Sequence, residues 1–319
     1  MTTKFSIQIE NQAGYDWELT KKVIHKTEEL GYHSFYICDH FFLDNQSENR
    51  HALEAWSVLS AAATLTNKIK LGTLVTGNNY RNPALLAKIA STLDMISNGR
   101  MEFGIGAGWK EIEYEAYGYD FPAVKDRMDM LEESILIIKE MWSKPRATFE
   151  GKHYRIKDAV LSPKPDNPLF MIGGGGEKRT LKLVAKYADY CNLFSIAPKE
   201  IDKKLAALKN HCNTIGRDYE SVGKSLFIFG AFVSESQEEI DKFIEERAKL
   251  YKITTDEMRT RIYDPHYPGS WVGTPEQLRD RIEHMNGLGF DYYFLQQYFN
   301  LDITLIDSFS NLVKDKYFK

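Results

Sequence analysis

The chain has 319 residues, a formal net charge of −4, 43% hydrophobic residues and 27% charged residues. This composition is that of an ordinary soluble globular protein with a large core. The mild acidity, with no basic block or polybasic helix, speaks against a nucleic-acid partner and against a membrane-surface partner.

Taken in chain order, apolar spacing alternates between period two and period 3.6. Lys4–Ile9 has a strand pattern, and Asp16–Leu30 a helical one, capped by Asp16 and ended by Gly31. Ser34–Cys38 is a second strand, His51–Thr66 a helix, Ile69–Val75 a third strand and Pro83–Ile96 a helix with Pro in its first turn. Met101–Ile105 is the fourth strand and Asp126–Trp142 a long helix. Residues 143–167 are rich in turns and predict a surface insertion. Alternation resumes with Leu169–Ile172, a helix from Glu177 to Tyr187, Tyr190–Phe194 and a helix from Pro198 to Ile215. Ser225–Val233 is a continuous apolar run, as in a strand covered on both faces. Helices over Glu235–Leu250 and Pro275–Leu288, the strand Asp291–Gln296 and a helix over Leu301–Val313 complete the series. Thr274 followed by Pro275 and Gln277 is a capping signal.

About eight strand–helix repeats predict parallel strands joined by right-handed crossovers, closed as a single (β/α)8 TIM barrel of the α/β class. An open sheet with a helical domain is the alternative; no Ser/Gly/Pro linker divides the chain, so residues 1–319 are expected to form one domain. The long stretch at about 251–272 is expected to be a lid or pocket rim. The start, MTTKFSIQIE, is too polar for a secretory signal, and no run approaches a spanning helix. Cys38, Cys191 and Cys212 are odd in number and widely spaced, which suits buried thiols in a reducing cytoplasm.

In such a barrel, chemistry sits at the C-terminal strand ends. The most distinctive of these is Gly173-Gly174-Gly175-Gly176, placed just before a predicted helix. Glycine allows close approach to backbone amides, and a helix N-terminus attracts anions, so this corner predicts a phosphate site. Lys178 and Arg179 in the first turn strengthen that expectation. A tight turn without a ligand is the bland alternative. No P-loop and no dinucleotide fingerprint is present, which leaves a flavin-type cofactor or a phosphorylated substrate. Asp39-His40 after the second strand supplies a proton carrier, or else a loop cap with His40 packed on Phe41. Gly106-Ala107-Gly108 would let a flat ring lie against backbone, or is only a sharp turn. Glu111 and Glu113, on a short amphipathic helix, are expected to face solvent. Tyr15, Trp17, Phe42, Trp109, Tyr298 and Phe299 are candidates for an apolar pocket. The eight histidines show no metal-ligand spacing, and none of the sequence predicts a metal site.

Taken together, FYICDHF, LGTLVTGNNYRNPALLAKIASTLDMISNGRMEFGIGAGW, EYEAYG, MIGGGGEKRTLKLVAKYADYCNLF and WVGTPEQL resemble the bacterial-luciferase-like flavin or deazaflavin oxidoreductases. The likeness is greatest to the sub-group labelled as dependent on coenzyme F420, a 5-deazaflavin. It implies a ring laid across the strand C-termini, with Asp39 and His40 beside it and His40 exchanging the proton. A third-strand bulge at Thr73, Leu74 and Val75 would back the ring, with a cis peptide expected at Leu74–Val75. Gly106, Ala107 and Gly108 would border the cofactor tail, and Gly173 to Gly176 would hold its phosphate. The implied reaction is hydride transfer with a small organic substrate. An FMN-dependent monooxygenase served by a partner reductase is the alternative. A homodimer through the helices flanking the second and third strands is also implied. The chain departs from some deazaflavin members, which have Ser where Leu74 stands. It has no secure match for the proton-donating acid of the sugar-phosphate dehydrogenases, so that substrate class is not expected.

Overall fold

The computed structural model describes residues 2–194, 198–229, 231–263, 271–297 and 303–314. Eight parallel strands form the barrel: β1 (Lys4–Ile9), β2 (Ser34–Ile37), β3 (Lys70–Thr73), β4 (Met101–Gly106), β5 (Phe170–Gly173), β6 (Tyr190–Leu193), β7 (Gly223–Ile228) and β8 (Phe290–Gln297). Each pairs with its sequence neighbour, β8 pairs with β1, and the circle closes. Helices α1 (Trp17–Glu29), α2 (Ala55–Leu65), α3 (Pro83–Ser97), α4 (Glu111–Tyr117), α5 (Val124–Ser143) and α6 (Thr180–Tyr187) follow in the first part of the chain. Then come α7 (Pro198–Thr214), α8 (Gln237–Tyr251), α9 (Thr255–Tyr263), α10 (Pro275–Gly287) and α11 (Thr304–Leu312). No helix among the described residues is long and apolar enough to cross a membrane.

Local chemistry sets the boundaries. The Asp16 side chain caps α1 and the Thr274–Gln277 capping box opens α10, as the residues predict. Helix α2 starts at Ala55 rather than His51, because the Glu54 carboxylate takes the N–H groups of Trp56 and Ser57. Helix α6 starts three residues later than expected, at Thr180. The apolar run Ser225–Val233 is two strands: Ala231–Val233 leaves the barrel and pairs with Trp271–Gly273. Within residues 143–167, Ala147–Glu150 and Arg155–Ala159 form an antiparallel hairpin. Of the stretch at 251–272, Thr255–Tyr263 is helical, Trp271 and Val272 are fully buried, and 264–270 lie outside the described residues. Its end is therefore core, not rim.

The core has two layers. One separates strands from helices and contains Ile7, Phe35, Leu71, Ile105 and Ile172 among many others. The other fills the barrel with Tyr36, Met171, Phe227, Tyr292 and Phe294. Below these, Glu102 accepts hydrogen bonds from Tyr36 Oη (2.6 Å) and Tyr292 Oη (2.8 Å) and faces His33. Burial opposes the charge on Glu102, but His33 first, and then the two tyrosine hydroxyls, hold its carboxyl below the usual range.

The third strand breaks at Leu74–Val75, a cis peptide, and resumes as Thr76–Gly77 against Ile105 and Gly106. Here β3 lies so close to β4 that a Cβ on Gly104 would sit 2.2 Å from the Thr73 carbonyl oxygen and 3.0 Å from a Val75 methyl. Neither neighbour is the free end of a flexible chain. Gly104→Ala is expected to destabilise the fold by at least about 2 kcal/mol, lowering the melting temperature by about 3 °C or more in thermal denaturation.

Candidate active site

A cavity of about 590 Å³ opens at the C-terminal ends of the strands. Its lining brings together residues distant in sequence: Asp39 and His40 after β2, Leu74 and Val75 after β3, Gly106 to Lys110 after β4, and Gly173 and Gly174 after β5. Thr73 stands behind this wall, bonded to Thr76 Oγ1 (2.7 Å) and the Gly104 carbonyl (3.1 Å). Gly175 and Gly176 lie beyond the lining.

Glu113 is where the sequence expectation fails most plainly. It is fully buried rather than solvent-facing. Its carboxylate accepts from His40 Nδ1 (2.8 Å), Tyr80 Oη (2.6 Å), the Phe41 N–H (2.8 Å), the Phe42 N–H (3.2 Å) and Lys110 Nζ (3.1 Å). Lys110 also donates to the Phe42 carbonyl. One carboxylate thus ties α4 to the loop after β2. Burial works to raise its pKa, yet the bonds from His40, Tyr80 and Phe42 hold it down at about 2. An ionised carboxylate only accepts, so His40 Nδ1 carries hydrogen and Nε2 is the open acceptor of the ring. Trp109 meets the imidazole edge-on, ring centroids 5.5 Å apart. The spacing of Glu113 from the glycine turn gave no sign of this, because the turn, not helical periodicity, swings α4 inward. Gly108 makes that turn at φ +74°, where a Cβ would strike the Tyr114 hydroxyl.

Asp39 is buried and forms a two-pronged pair with Arg81 (2.7 and 2.9 Å), and it also accepts the Gly77 N–H (3.1 Å). Burial raises its pKa against the pull of Arg81. The carboxylate is therefore spent on holding the loop after β3. Arg81 reaches on to Glu54, the cap of α2.

The glycine corner keeps part of its expected chemistry. Gly174 has φ +122° and gives its N–H to the Asn192 carbonyl (3.0 Å). The N–H groups of Gly175, Gly176, Glu177 and Lys178 have no acceptor among the described residues. Arg179 is drawn away to Asp129 (2.6 Å), and Lys204 instead reaches the Gly175 carbonyl (2.9 Å). Free amides, a helix start and exposed Lys178 fit an anionic tail. Val75 fits a flat ring: its methyls fill the space that a Cβ on Gly106 or Gly173 would need, leaving a wall without polar side chains there.

Phe194, Phe227 and Phe229 line the opposite part of the cavity, with Phe194 and Phe227 stacked at 5.2 Å. Their inward parity on β6 and β7 is the signal that would have found them. Of the aromatic candidates, Trp109 lines the cavity, Tyr15 is core, and Tyr298 and Phe299 lie outside the described residues. Among the described residues Asp126, Asp129 and His153 bring potential metal-ligand atoms within 4.8 Å of one another, away from the cavity. Both carboxylates there are already paired, with Lys152 (2.7 Å) and Arg179 (2.6 Å).

The family model for luciferase-like monooxygenases matches residues 1–292. The chain belongs to this family. An F420-dependent glucose-6-phosphate dehydrogenase of Amycolatopsis mediterranei is 31% identical over 211 residues, 64% of this chain and 62% of the relative. The pyrimidine monooxygenase RutA of Acinetobacter baylyi is 30% identical over 220 residues, 64% of this chain and 57% of the relative. The chain thus matches less than two thirds of the length of either. Among solved structures, an F420-dependent secondary alcohol dehydrogenase in complex with an F420-acetone adduct superposes with TM-score 0.81 at 21% identity, covering 98% of this chain and 99% of that one. A long-chain alkane monooxygenase has the same TM-score at 14% identity, covering 99% and 91%. The luciferase-like barrel expected from the motifs is borne out.

Glu113→Gln tests the buried carboxylate. A depressed folded-state pKa gives stability that is present above the ordinary value of 4.5 and is lost as pH falls toward about 2. The wild-type advantage is on the order of 3 kcal/mol near neutrality. Melting curves from pH 7 to 2 are expected to show that advantage vanish at the acid end.

Proposed function

We propose that this chain is an oxidoreductase that binds coenzyme F420 and transfers a hydride to or from a small organic substrate. The observation that carries the reading is His40, held by buried Glu113 on the rim of a cavity whose other side is glycine and Val75. When bound, the deazaflavin supplies the hydride donor or acceptor. The protein's part is placement and proton handling. Asp39, Leu74, Val75, Gly106, Ala107 and Gly108 shape the ring's seat, and the amides of Gly175 to Lys178 hold its phosphate. With Nδ1 fixed on Glu113, His40 Nε2 takes the substrate's hydroxyl proton in oxidation and returns it in reduction. Glu113 is a positioning residue: it sets the tautomer and stabilises the imidazolium.

The second reading is an FMN-dependent monooxygenase supplied with reduced flavin by a partner reductase, favoured by the pyrimidine monooxygenase likeness. Both use the same corner, so cofactor titration separates them. Deazaflavin is expected to bind at least a hundredfold tighter than FMN; the reverse preference would favour the monooxygenase. Gly175→Asp, which sets a carboxylate among the free amides with only the flexible Lys204 chain to displace, is expected to weaken either cofactor at least thirtyfold. His40→Ala is expected to lower turnover about 10²- to 10⁴-fold while the cofactor dissociation constant changes less than fivefold.

We further propose that residues 1–319 act as one domain, in the cytoplasm, as a homodimer. Leu85, Met95 and Ile96 on α3 are exposed, and Leu85 lines a groove of about 530 Å³ that runs between Trp56, Arg81 and Tyr117. Analytical ultracentrifugation of the wild type and of Leu85→Glu tests the dimer.

A further inference from the structure

Three of the four charged side chains in the cavity's lining are ion-paired, and the fourth, Glu10, is held by amides. Among the described residues, the acidic and basic side chains that line it are Glu10, Asp39, His40 and Lys110. Asp39 is neutralised by Arg81, while His40 and Lys110 share Glu113. Glu10 accepts from Gln8 Nε2 (3.1 Å) and Gln12 Nε2 (2.5 Å). A phosphate or carboxylate on a substrate would therefore lose its water without gaining an unpaired cation in this lining.

Besides His40 Nε2, one buried polar atom of the lining has no partner among the described residues. Gln296, at the end of β8, is 5% exposed and its Oε1 has no partner. Gln8, its register neighbour on β1, likewise has a buried Oε1 without a partner. Buried amide oxygens of this kind are strongly favoured to accept a hydrogen bond. Phe194, Phe227 and Phe229 line the cavity from the β6 and β7 side, next to Gln296 at the end of β8, while His40 stands on the other side of β1, after β2. These rings bond to nothing polar and offer stacking faces.

We infer that the substrate is a largely apolar or aromatic molecule without an anionic group that presents an N–H or O–H donor to Gln296, and that phosphorylated sugars are excluded. The inference rests on the oxidoreductase reading for which molecule is bound, and it adds the substrate's chemical class. A site built around a hydrogen bond discriminates strongly against an analogue that cannot make it, because the buried acceptor is left unpaired.

Three probes test this on the full-length, deazaflavin-loaded protein by calorimetry: quinolin-2(1H)-one, its N-methyl derivative and glucose 6-phosphate. The expected result is that quinolinone binds at least tenfold tighter than the N-methyl compound, while glucose 6-phosphate shows no binding at millimolar concentration. Gln296→Met, similar in volume but without the amide, is expected to reduce the preference to under threefold. Phe229→Ala is expected to weaken both quinolinones about equally and to leave their ratio unchanged. Equal binding of the two quinolinones, binding of neither, or binding of glucose 6-phosphate overturns the inference, and these wild-type measurements decide it even if a variant fails to fold. Cofactor titration of the same samples keeps the two readings apart. Loss of probe discrimination with deazaflavin still bound removes the substrate class alone; discrimination without any cofactor binding removes the redox reading.

Discussion

Five donors converge on the Glu113 carboxylate, and the working end of the barrel depends on that convergence. The loop after β2 has no regular structure of its own between His40 and α2, yet two of its amides, its histidine and one of its carbonyls are fixed through Glu113 and Lys110. A buried carboxylate is costly unless its oxygens are fully bonded. Here the bonds come from three parts of the chain, residues 40–42, Tyr80 and Lys110, so the charge is tolerated only when β2, the loop after β3 and the start of α4 are all in place. The same bonds give the imidazole one tautomer.

The other side of the mouth is built by close approach rather than by charge. Val75 projects from the interrupted third strand onto Gly104, Gly106 and Gly173, which lie on two further strands. Three missing side chains make room for one branched one. The outcome is a smooth apolar face bounded by backbone, and beyond it a corner of uncommitted amides. Asp39 and Arg81 brace this arrangement from behind, carrying the Gly77 turn and linking it to the cap of α2.

Much of the architecture was legible because local signals agree with the global fold. Caps such as Asp16 and Thr274 and the glycine turns are short-range features, and parity within each strand separates the two core layers. The interrupted third strand was legible only by likeness to a family, since nothing in IKLGTLV distinguishes it from an ordinary buried strand. The position of Glu113 was not legible. The acids on either side of it along α4, Glu111 and Glu115, are exposed, and its partners come from residues 40–42, 80 and 110, brought together only by barrel closure. Phe227 and Phe229 were read as part of one long strand, which hid that the chain leaves the barrel just after them. Arg179 looked like an anion ligand by position, but a nearby aspartate on α5 claims it.

The lower half of the barrel gives the upper half a one-way character. Tyr36, Met171, Tyr292 and Phe294 fill the bore, and beneath them the tyrosine hydroxyls close over Glu102. A tube plugged in this manner has a floor, and traffic through it has a single doorway. A ligand deep in the cavity therefore exchanges with solvent through the C-terminal mouth and not through the bore.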